Sequence, residues 1–254
     1  MQSYLKSLNV ILSYKNLTEM TTKNSQMVNW DNVFLNSKTF QERKPTKWAF
    51  LEEFFVRDFY EKLYETYPKK DDSWFVESSN DKSAYRKWWA GKKDGNHISS
   101  DVEDPNFSES WNKLYHYLFS TEFLSNIRKF SGVPVTKTKT VTFMLLTRGG
   151  YQLPHIHNVG PSTLILMLYF NKNWKKGDPG GTYVTPEEDE SKMIFEPYNL
   201  DNSVMIFHDG PHAGHGVRFI EKDVERRAVQ IYLEKYSPEA GWSAYPVKRE
   251  LREI

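Results

Sequence analysis

Two histidines separated by a single residue are the part of this sequence whose spacing points most directly to chemistry. They are His155 and His157, in the run YQLPHIHNVG, which begins just after the glycine pair at 149–150. Side chains two residues apart on a β-strand point to the same face of the sheet. A strand at this point therefore presents two imidazoles on one side, where they can bind a metal ion together.

Further imidazoles follow at the end of a second strand-like run. Of the seven histidines in the chain, five lie between 155 and 215, and His208, His212 and His215 occur close together in HDGPHAGHGV. A single histidine is most often structural, but two ligands from one strand and a third from a distant strand form a three-point metal site with open positions. Spacing alone leaves two chemistries open. One is a three-histidine zinc site that activates water, and the other is a non-haem Fe(II) site that admits oxygen and a co-substrate.

The elements that must position these histidines are short β-rich runs in the second half of the chain. They are separated by Gly, Pro, Asn and Asp, as strands usually are. In order they read KTKTVTFMLLTR, STLILMLYFN, GTYV, KMIFEP, NSVMIFH and RRAVQIYLE. Consecutive strands without helices between them predict an antiparallel sandwich or barrel. We therefore predict a mostly β protein with N-terminal helices, in which α-helices flank a double-stranded β-helix core (a cupin-like jelly roll).

The first half of the chain is predicted to be helical. From Lys47 onward, apolar side chains recur at near-helical spacing, which predicts an amphipathic helix that ends at Pro68. The stripe consists of Trp48, Leu51, Phe55, Phe59 and Leu63. The polar stretch 69–107 is predicted to be a long loop, either a substrate lid or a surface excursion. SESWNKLYHYLF and STEFLSNIRKFSGV predict two further helices, the second ending at Gly132.

These patterns predict a single domain over residues 31–254. Its helical support covers 47–132 and its jelly-roll core covers 133–240, whereas residues 1–30 are predicted to be poorly structured. An aromatic content of 15% favours a folded, well-packed protein over a disordered one.

Composition narrows the classes of function. The 254 residues include 34 Lys and Arg against 33 Asp and Glu, so neither a nucleic acid nor a membrane surface is expected as a partner. No apolar run approaches the roughly 20 residues that a membrane span requires. The chain has no cysteine, which excludes disulfides, thiolate metal ligands and cysteine nucleophiles. That absence fits a reducing compartment, and we expect a cytoplasmic protein.

A series of motifs between Gly149 and Leu233 occurs in an order that is shared with a known family. In this chain they read GGYQLPHIHN, YFNKNW, GDPGG, FEPYNL, VMIFH, HGV and RRAVQIYL. In order and spacing they resemble the Fe(II)/2-oxoglutarate-dependent oxygenases, specifically the prolyl-hydroxylase-like branch. The resemblance implies a jelly-roll oxygenase domain and a requirement for Fe(II), 2-oxoglutarate and O2, with ascorbate as an accessory reductant.

The resemblance also implies roles for individual residues. His155 corresponds to the first iron ligand, and His215 corresponds to the distal ligand because it stands in the motif His-x-Val. His212 is the alternative distal ligand, since His-Ala-Gly also occurs after the metal ligand in animal collagen-type enzymes. Arg226 matches the arginine that pairs with the distal carboxylate of 2-oxoglutarate. Tyr169 matches a tyrosine that hydrogen-bonds the same carboxylate, although a core aromatic is the other interpretation.

His157 stands where the family carries an aspartate or glutamate ligand. One interpretation is that His157 itself binds the metal, so that the ligands are His155, His157 and His215 and the site carries one more unit of positive charge. A second is that His157 turns away and leaves an open position, as Gly or Ala does in the halogenases of the family. A third is that the substitution marks a weakened or inactive member.

The function implied by the resemblance is hydroxylation of an unactivated C–H bond in a small molecule or a peptide residue such as proline. In that reaction 2-oxoglutarate is decarboxylated to succinate. The alternatives are a three-histidine metalloenzyme that does not use 2-oxoglutarate, in which Arg226 is incidental, and a jelly-roll protein without catalysis. Arg227 is predicted to point to the opposite face of the sheet from Arg226. The substrate and the oligomeric state are not indicated by the sequence.

Overall fold

The strand-rich second half of the chain forms the antiparallel sheet that its patterns predict. The computed structural model describes residues 26–89, 103–157 and 163–235. The helices are α1 (Trp30–Leu35), α2 (Ser37–Glu42), α3 (Arg57–Glu65), α4 (Glu109–Leu118) and α5 (Thr121–Ser131). The strands are β1 (Trp48–Leu51), β2 (Phe75–Ser78), β3 (Lys82–Trp88), β4 (Lys137–Leu146), β5 (Tyr151–His155), β6 (Thr163–Phe170), β7 (Tyr183–Thr185), β8 (Asp201–His208), β9 (Gly214–Val217) and β10 (Arg226–Glu234).

The sheet curls into a nearly closed, barrel-like jelly roll, which confirms the predicted fold class. Its strand order is β1-β8-β6-β10-β4-β3-β5-β9-β7, with β2 added beside β3, and the strands pair antiparallel. Strand order matters for the site because β5 and β9, which carry histidines, are neighbours. Strands β6 and β10, which carry Tyr169 and Arg226, form a second neighbouring pair.

Alternate residues of the central strands supply two separate apolar cores. On β6, Ile165 and Met167 face the barrel interior, whereas Leu164 and Leu166 pack against the helices. On β10 the even-numbered positions, such as Ala228, face the interior by the same alternation. A strand that is buried on both faces reads as a continuous apolar run, and this explains the near absence of polar residues in β6.

The helical layer is built as the capping signals indicate. Ser108 caps α4 by accepting a hydrogen bond from the Trp111 amide at 3.4 Å, and Ser120 caps α5 by accepting one from the Phe123 amide at 3.1 Å. Gly132 ends α5 with a left-handed backbone at φ 68°, which glycine adopts without strain. These helices cover the outer face of the sheet, and the site lies on its inner face.

Part of the predicted helical half is β-structure instead. The predicted helix from Lys47 to Pro68 begins only at Arg57, because residues 48–51 form β1 and pair with β8 from Trp48↔Phe207 to Leu51↔Val204. The predicted loop 69–107 contains β2 and β3, and residues 90–102 of it lie outside the described residues. The helical support over 47–132 is therefore interrupted by three strands. Among the predicted strands, KMIFEP forms only an isolated bridge, Val184↔Phe195.

Most of the predicted poorly structured segment 1–30 lies outside the described residues. Of the remainder, Val28 is fully buried and forms a bridge with Phe55, and Trp30 begins α1, so the ordered fold extends to these positions. The described helices include none with the length and apolar character that crossing a membrane demands.

Aromatic side chains join the two ends of the sheet. Strands β1 and β7 stand at opposite ends of the strand order, and the described residues show no ladder between them. Phe195, which forms the isolated bridge to Val184 of β7, stacks on Trp48 of β1 with ring centroids 4.6 Å apart. The Phe50 ring of β1 lies 5.5 Å from the same phenylalanine. We call Trp48, Phe50 and Phe195 the aromatic seam.

Candidate metal centre

Three of the predicted site histidines meet at the inner face of the barrel. His155 ends β5 and is the cross-strand partner of His215 on β9, and their ring centroids are 4.3 Å apart. The His157 ring follows at 4.6 Å from His155 and 4.9 Å from His215. One ring nitrogen from each histidine can be chosen so that all three lie within 4.8 Å of one another. Ligand nitrogens lie about 2.1 Å from a bound ion, so the three rings would have to draw closer together around it.

Backbone carbonyls fix the orientation of two of these rings. The Nδ1 atom of His155 is 3.0 Å from the carbonyl oxygen of Leu153, and Nδ1 of His215 is 2.9 Å from that of Ala213. When Nδ1–H donates to the carbonyl, Nε2 is left with its lone pair for a metal. The Nε2 atom of His215 is buried and has no hydrogen-bond partner among the described residues. The Nε2 atom of His155 lies 3.3 Å from the Gln152 amide nitrogen, so coordination through Nε2 would replace that contact.

His157 is oriented by side chains instead of by the backbone. Its Nδ1 atom is 2.5 Å from the hydroxyl of Tyr232 on β10 and 3.6 Å from Oδ2 of Asp209, the residue that follows β8. The Asp209 side chain is fully buried, and within the described part of the chain neither of its oxygens has a hydrogen-bond partner at normal distance. The next residue along the chain from His155 is also held in place, because the Ile156 amide donates to Oε1 of Glu188 at 3.1 Å.

The surroundings favour neutral imidazoles at His155 and His215. Burial, together with the neighbouring His157, lowers the pKa of His155 to about 4. Burial lowers the pKa of His215 well below its ordinary value, and the charges of the other two histidines act in the same direction. Burial raises the pKa of Asp209, against the opposing effect of His157. Burial and the negative charge of Asp209 raise the pKa of Tyr232 well above its usual range. Neutral imidazoles are the form that binds metals.

Close backbone approach around His215 requires a glycine in β9. A Cβ at position 216 would overlap the hydroxyl of Tyr183 on β7 and the carbonyl oxygen of Gln152 on β5. Gly216 therefore allows β9 to lie close to both neighbours, which brings His215 into register with His155.

Arg226 is fully buried at the start of β10, with part of its guanidinium unused. Its Nε–H donates to the carbonyl of Gly180 at 2.7 Å, and its Nη2–H donates to the hydroxyl of Thr182 at 3.0 Å. Its Nη1 atom is buried, and no described residue accepts a hydrogen bond from it. Burial lowers the pKa of Arg226, and an arginine remains charged at neutral pH. A buried cation with free donors and no acid paired with it can accept a carboxylate ligand.

Tyr169 stands beside Arg226 on the neighbouring strand. The Arg226 guanidinium carbon lies 5.1 Å from the centroid of the Tyr169 ring, and the Tyr169 hydroxyl accepts a hydrogen bond from the Thr182 amide at 2.9 Å. The phenol is buried and its own proton is free for a further acceptor. The interior around these residues is apolar and is lined by Met144, Ile165, Met167, Met205 and Phe207.

The remaining predicted residues lie away from the cluster. His212 is exposed on the turn between β8 and β9 and is not part of the three-histidine group, although sequence alone left it as the alternative to His215. Arg227 is half-buried on the opposite face of β10 from Arg226 and forms an ion pair with Glu225 at 2.7 Å. This placement agrees with the predicted orientation of Arg227.

Asp209 and Tyr232 were not anticipated as site residues. Tyr232 lies on the same face of β10 as Arg226, so strand alternation applied to RRAVQIYLE would have pointed to it. Asp209 follows a strand end in HDGP, a position that reads as an ordinary turn. Asp209 comes close to His157 because the chain just after β5 approaches the end of β8 in the folded protein.

Comparison with known proteins gives a structural likeness but no match by sequence. No protein-family model matches the chain, and no curated protein matches it. A prolyl-4-hydroxylase from Pseudomonas putida superposes with a TM-score of 0.58 at 13% identity, covering 82% of this chain and 99% of that one. A Trichoplax adhaerens prolyl hydroxylase, solved with a hypoxia-inducible-factor peptide, superposes with a TM-score of 0.55 at 14% identity, covering 81% and 89%.

A third likeness is to HygX from Streptomyces hygroscopicus, solved with nickel and 2-oxoglutarate bound. Its TM-score is 0.51 at 9% identity, and the match covers 85% of this chain and 95% of that one. At these identities the likeness concerns the fold. The chain therefore has the jelly-roll fold of the 2-oxoglutarate/Fe(II) oxygenases, as its motifs predict.

Proposed function

We propose that this protein is a non-haem iron, 2-oxoglutarate-dependent oxygenase that hydroxylates a C–H bond of a small molecule or peptide residue. One observation carries the proposal. The same barrel holds a three-histidine cluster and a buried arginine, Arg226, and in the described ranges neither Nε2 of His215 nor Nη1 of Arg226 has a hydrogen-bond partner. Both are polar groups that are costly to bury unless a ligand satisfies them.

The residues present fit a divalent metal ion. His155, His157 and His215 would hold it, since their ring nitrogens converge and burial keeps two of the rings in the neutral, metal-binding form. Three protein ligands leave the remaining coordination positions for a co-substrate and oxygen. Iron is the choice among metals because the fold is that of the 2-oxoglutarate/Fe(II) oxygenases.

Arg226 and Tyr169 also fit one carboxylate end of a dicarboxylate, whose other end would bind the metal. Arg226 would bind the distal carboxylate through Nη1, and Tyr169, whose ring lies 5.1 Å from the guanidinium, would donate its hydroxyl to the same group. The contacts of the guanidinium to Gly180 and Thr182 hold its plane in one orientation, so that its free edge is positioned before the ligand arrives. HygX, which shares the fold, binds 2-oxoglutarate.

Iron with bound 2-oxoglutarate and O2 would supply the oxidation, in which 2-oxoglutarate loses CO2 to become succinate and the substrate C–H becomes C–OH. The protein supplies orientation and a dry interior. Backbone carbonyls hold the rings of His155 and His215, and the apolar lining that includes Met144 and Met167 excludes water.

A second candidate function is favoured by the histidine at position 157. Three imidazoles form a neutral ligand set, as in metalloenzymes that do not use 2-oxoglutarate. In such an enzyme Arg226 has no ligand to bind, and its free Nη1 stays unexplained. The oxygenase accounts for both features and is therefore preferred.

Anaerobic titration of the metal-free protein with Fe(II), and then with 2-oxoglutarate, tests the proposal. The expected result is a weak visible charge-transfer band that appears only when both are present, followed by succinate formation when O2 is admitted. Fe(II) binding without any response to 2-oxoglutarate would support the second candidate. If neither binds, the same titration with His157→Asp distinguishes a disabled oxygenase, which recovers the band, from a protein without this chemistry, which does not.

A further inference from the structure

We propose that Asp209 is a positioning residue of the metal centre. Its carboxylate acts through the His157 imidazole and supplies, from the end of β8, a negative charge that the three histidines lack. The inference rests on the proposed function only in that a metal binds to the histidine cluster. It does not depend on 2-oxoglutarate or on catalysis.

The surroundings of Asp209 are unusual for a structural carboxylate. The side chain is fully buried, and among the described residues neither oxygen has a hydrogen-bond partner at normal distance. Nδ1 of His157 lies 3.6 Å from Oδ2, and the Gly210 amide and His208 also act on the carboxylate. Burying a carboxylate without partners is strongly unfavourable. Such a group is expected to have a partner in the functional state of the protein, and the His157 ring, 3.6 Å away, is a group that can become one.

Metal binding would create that partner. A metal on Nε2 of His157 requires the ring proton to be on Nδ1, which makes Nδ1–H a donor directed at the Tyr232 hydroxyl and at Asp209. A tyrosine that accepts this proton must direct its own O–H to another acceptor, and the Asp209 carboxylate, which faces the same imidazole at 3.6 Å, is a candidate for that role. His155 and His215 use neutral backbone carbonyls for the same purpose. His157 is therefore the ligand through which a carboxylate charge reaches the metal.

The experiment measures Co(II) affinity of the full chain at one fixed pH, from the visible bands of the bound ion. Asp209→Asn is expected to weaken Co(II) binding about 10- to 100-fold, the usual effect of losing a partner of a metal-bound histidine. Asp201→Asn is the matched control, because Asp201 is also on β8 and has a buried oxygen without a partner. It is expected to leave the affinity unchanged.

A second background separates an electrostatic role from a merely structural one. In His157→Asp the ligand carries its own negative charge, and Asp209 would then repel it. Asp209→Asn is therefore expected to have no effect on Co(II) affinity in that background, or to strengthen binding. An equal weakening in both backgrounds, or no weakening in the native background, would overturn the proposal.

A spectroscopic measurement keeps the proposal testable if Asp209→Asn does not fold. In the Zn(II)-loaded native protein with 15N-labelled histidine, the His157 resonances are identified by their loss in His157→Gln. The expected pattern is a protonated Nδ1 and a metal-bound Nε2. A metal-bound Nδ1 would refute the inference, whatever the result of the 2-oxoglutarate titration. Conversely, a missing charge-transfer band together with the expected Co(II) results would refute only the proposed oxygenase.

Discussion

Replacing Arg226 by methionine tests whether the buried guanidinium binds the distal carboxylate of 2-oxoglutarate. Methionine keeps a long apolar side chain in the interior but removes the charge and every donor. The guanidinium has one nitrogen, Nη1, without a protein partner, so at least one charge-assisted hydrogen bond to the ligand is lost. Such a bond contributes about 1.5–3 kcal/mol, which corresponds to a roughly 10- to 150-fold weaker Kd for 2-oxoglutarate.

The assay compares two 2-oxo acids on the Fe(II)-loaded protein without oxygen. 2-Oxobutyrate chelates the metal in the same way as 2-oxoglutarate but has no distal carboxylate. Arg226→Met is therefore expected to weaken 2-oxoglutarate and leave the affinity for 2-oxobutyrate nearly unchanged. The control is Arg227→Met, which removes a half-exposed arginine paired with Glu225 on the opposite face of the strand and is expected to leave both affinities unchanged.

The reasoning is refuted if Arg226→Met weakens both acids equally, since the mutation would then act through the fold or the metal. It is also refuted if neither affinity changes. Thermal unfolding of each variant is measured in parallel, because Arg226 also donates to Gly180 and Thr182. A loss of stability alone would not produce a difference between the two acids.

Three further predictions concern the ligands, the turn beneath Arg226 and the dependence on pH. His215→Ala is expected to abolish stoichiometric Fe(II) binding. His212→Ala, at an exposed position outside the cluster, is expected to retain it. Equilibrium dialysis with metal analysis measures the Fe(II) bound by each variant. Gly180→Ala is expected to lower the free energy of unfolding by roughly 2–4 kcal/mol, because φ is 145° and the new Cβ would overlap the Trp174 ring. Urea denaturation measures this change. A decrease below about 0.5 kcal/mol would contradict the strain. Burial lowers the pKa of His155 to about 4 in the folded protein, whereas it is higher in the unfolded chain. Between about pH 6.5 and 4 the unfolded chain therefore binds more protons, and the metal-free protein loses stability as the pH falls through this range. His155→Gln should show a shallower loss of stability, and an unchanged slope would contradict the shift.

The strands could be predicted where burial on both faces leaves a visible mark in the sequence. Strands β4, β6, β8 and β10 are long runs of apolar and β-branched residues, and each lies where its run was found. The histidine cluster was likewise anticipated, because two of its members are close in sequence. What local pattern cannot supply is the partner of each strand, which depends on residues far away in the chain.

Strand β1 shows this limit. Trp48 and Leu51 continue the stripe of apolar residues into Phe55, which favours a helix over the whole segment. Residues 48–51 also alternate between half-buried and buried positions, which is typical of a strand. The choice is made by β8, whose residues from Val204 to Phe207 pair with them. Local spacing was compatible with both structures, and the ladder stabilises only one.

The residues of the site also divide into those that local sequence patterns predict and those that depend on distant segments. His155 and His157 are found from their spacing, and Arg226 from its motif, because neighbours in sequence define them. Asp209 and Tyr232 are brought to His157 by the ends of β8 and β10, and no short motif joins these three segments. Sequence patterns therefore predict the metal ligands but not Asp209 and Tyr232, which orient one of them.

The aromatic seam between β1 and β7 has a consequence for how the barrel opens. Parting the seam separates ring pairs that contribute about 0.5–1.5 kcal/mol each beyond their buried area. Parting the sheet elsewhere would break a backbone ladder, which has two residue pairs in β3–β5 and seven in β6–β10. Transient opening is therefore expected along the seam, where Phe195 leaves Trp48 and Phe50 while the ladders stay intact. A barrel closed in this way can admit solvent and solutes to its interior without beginning to unfold.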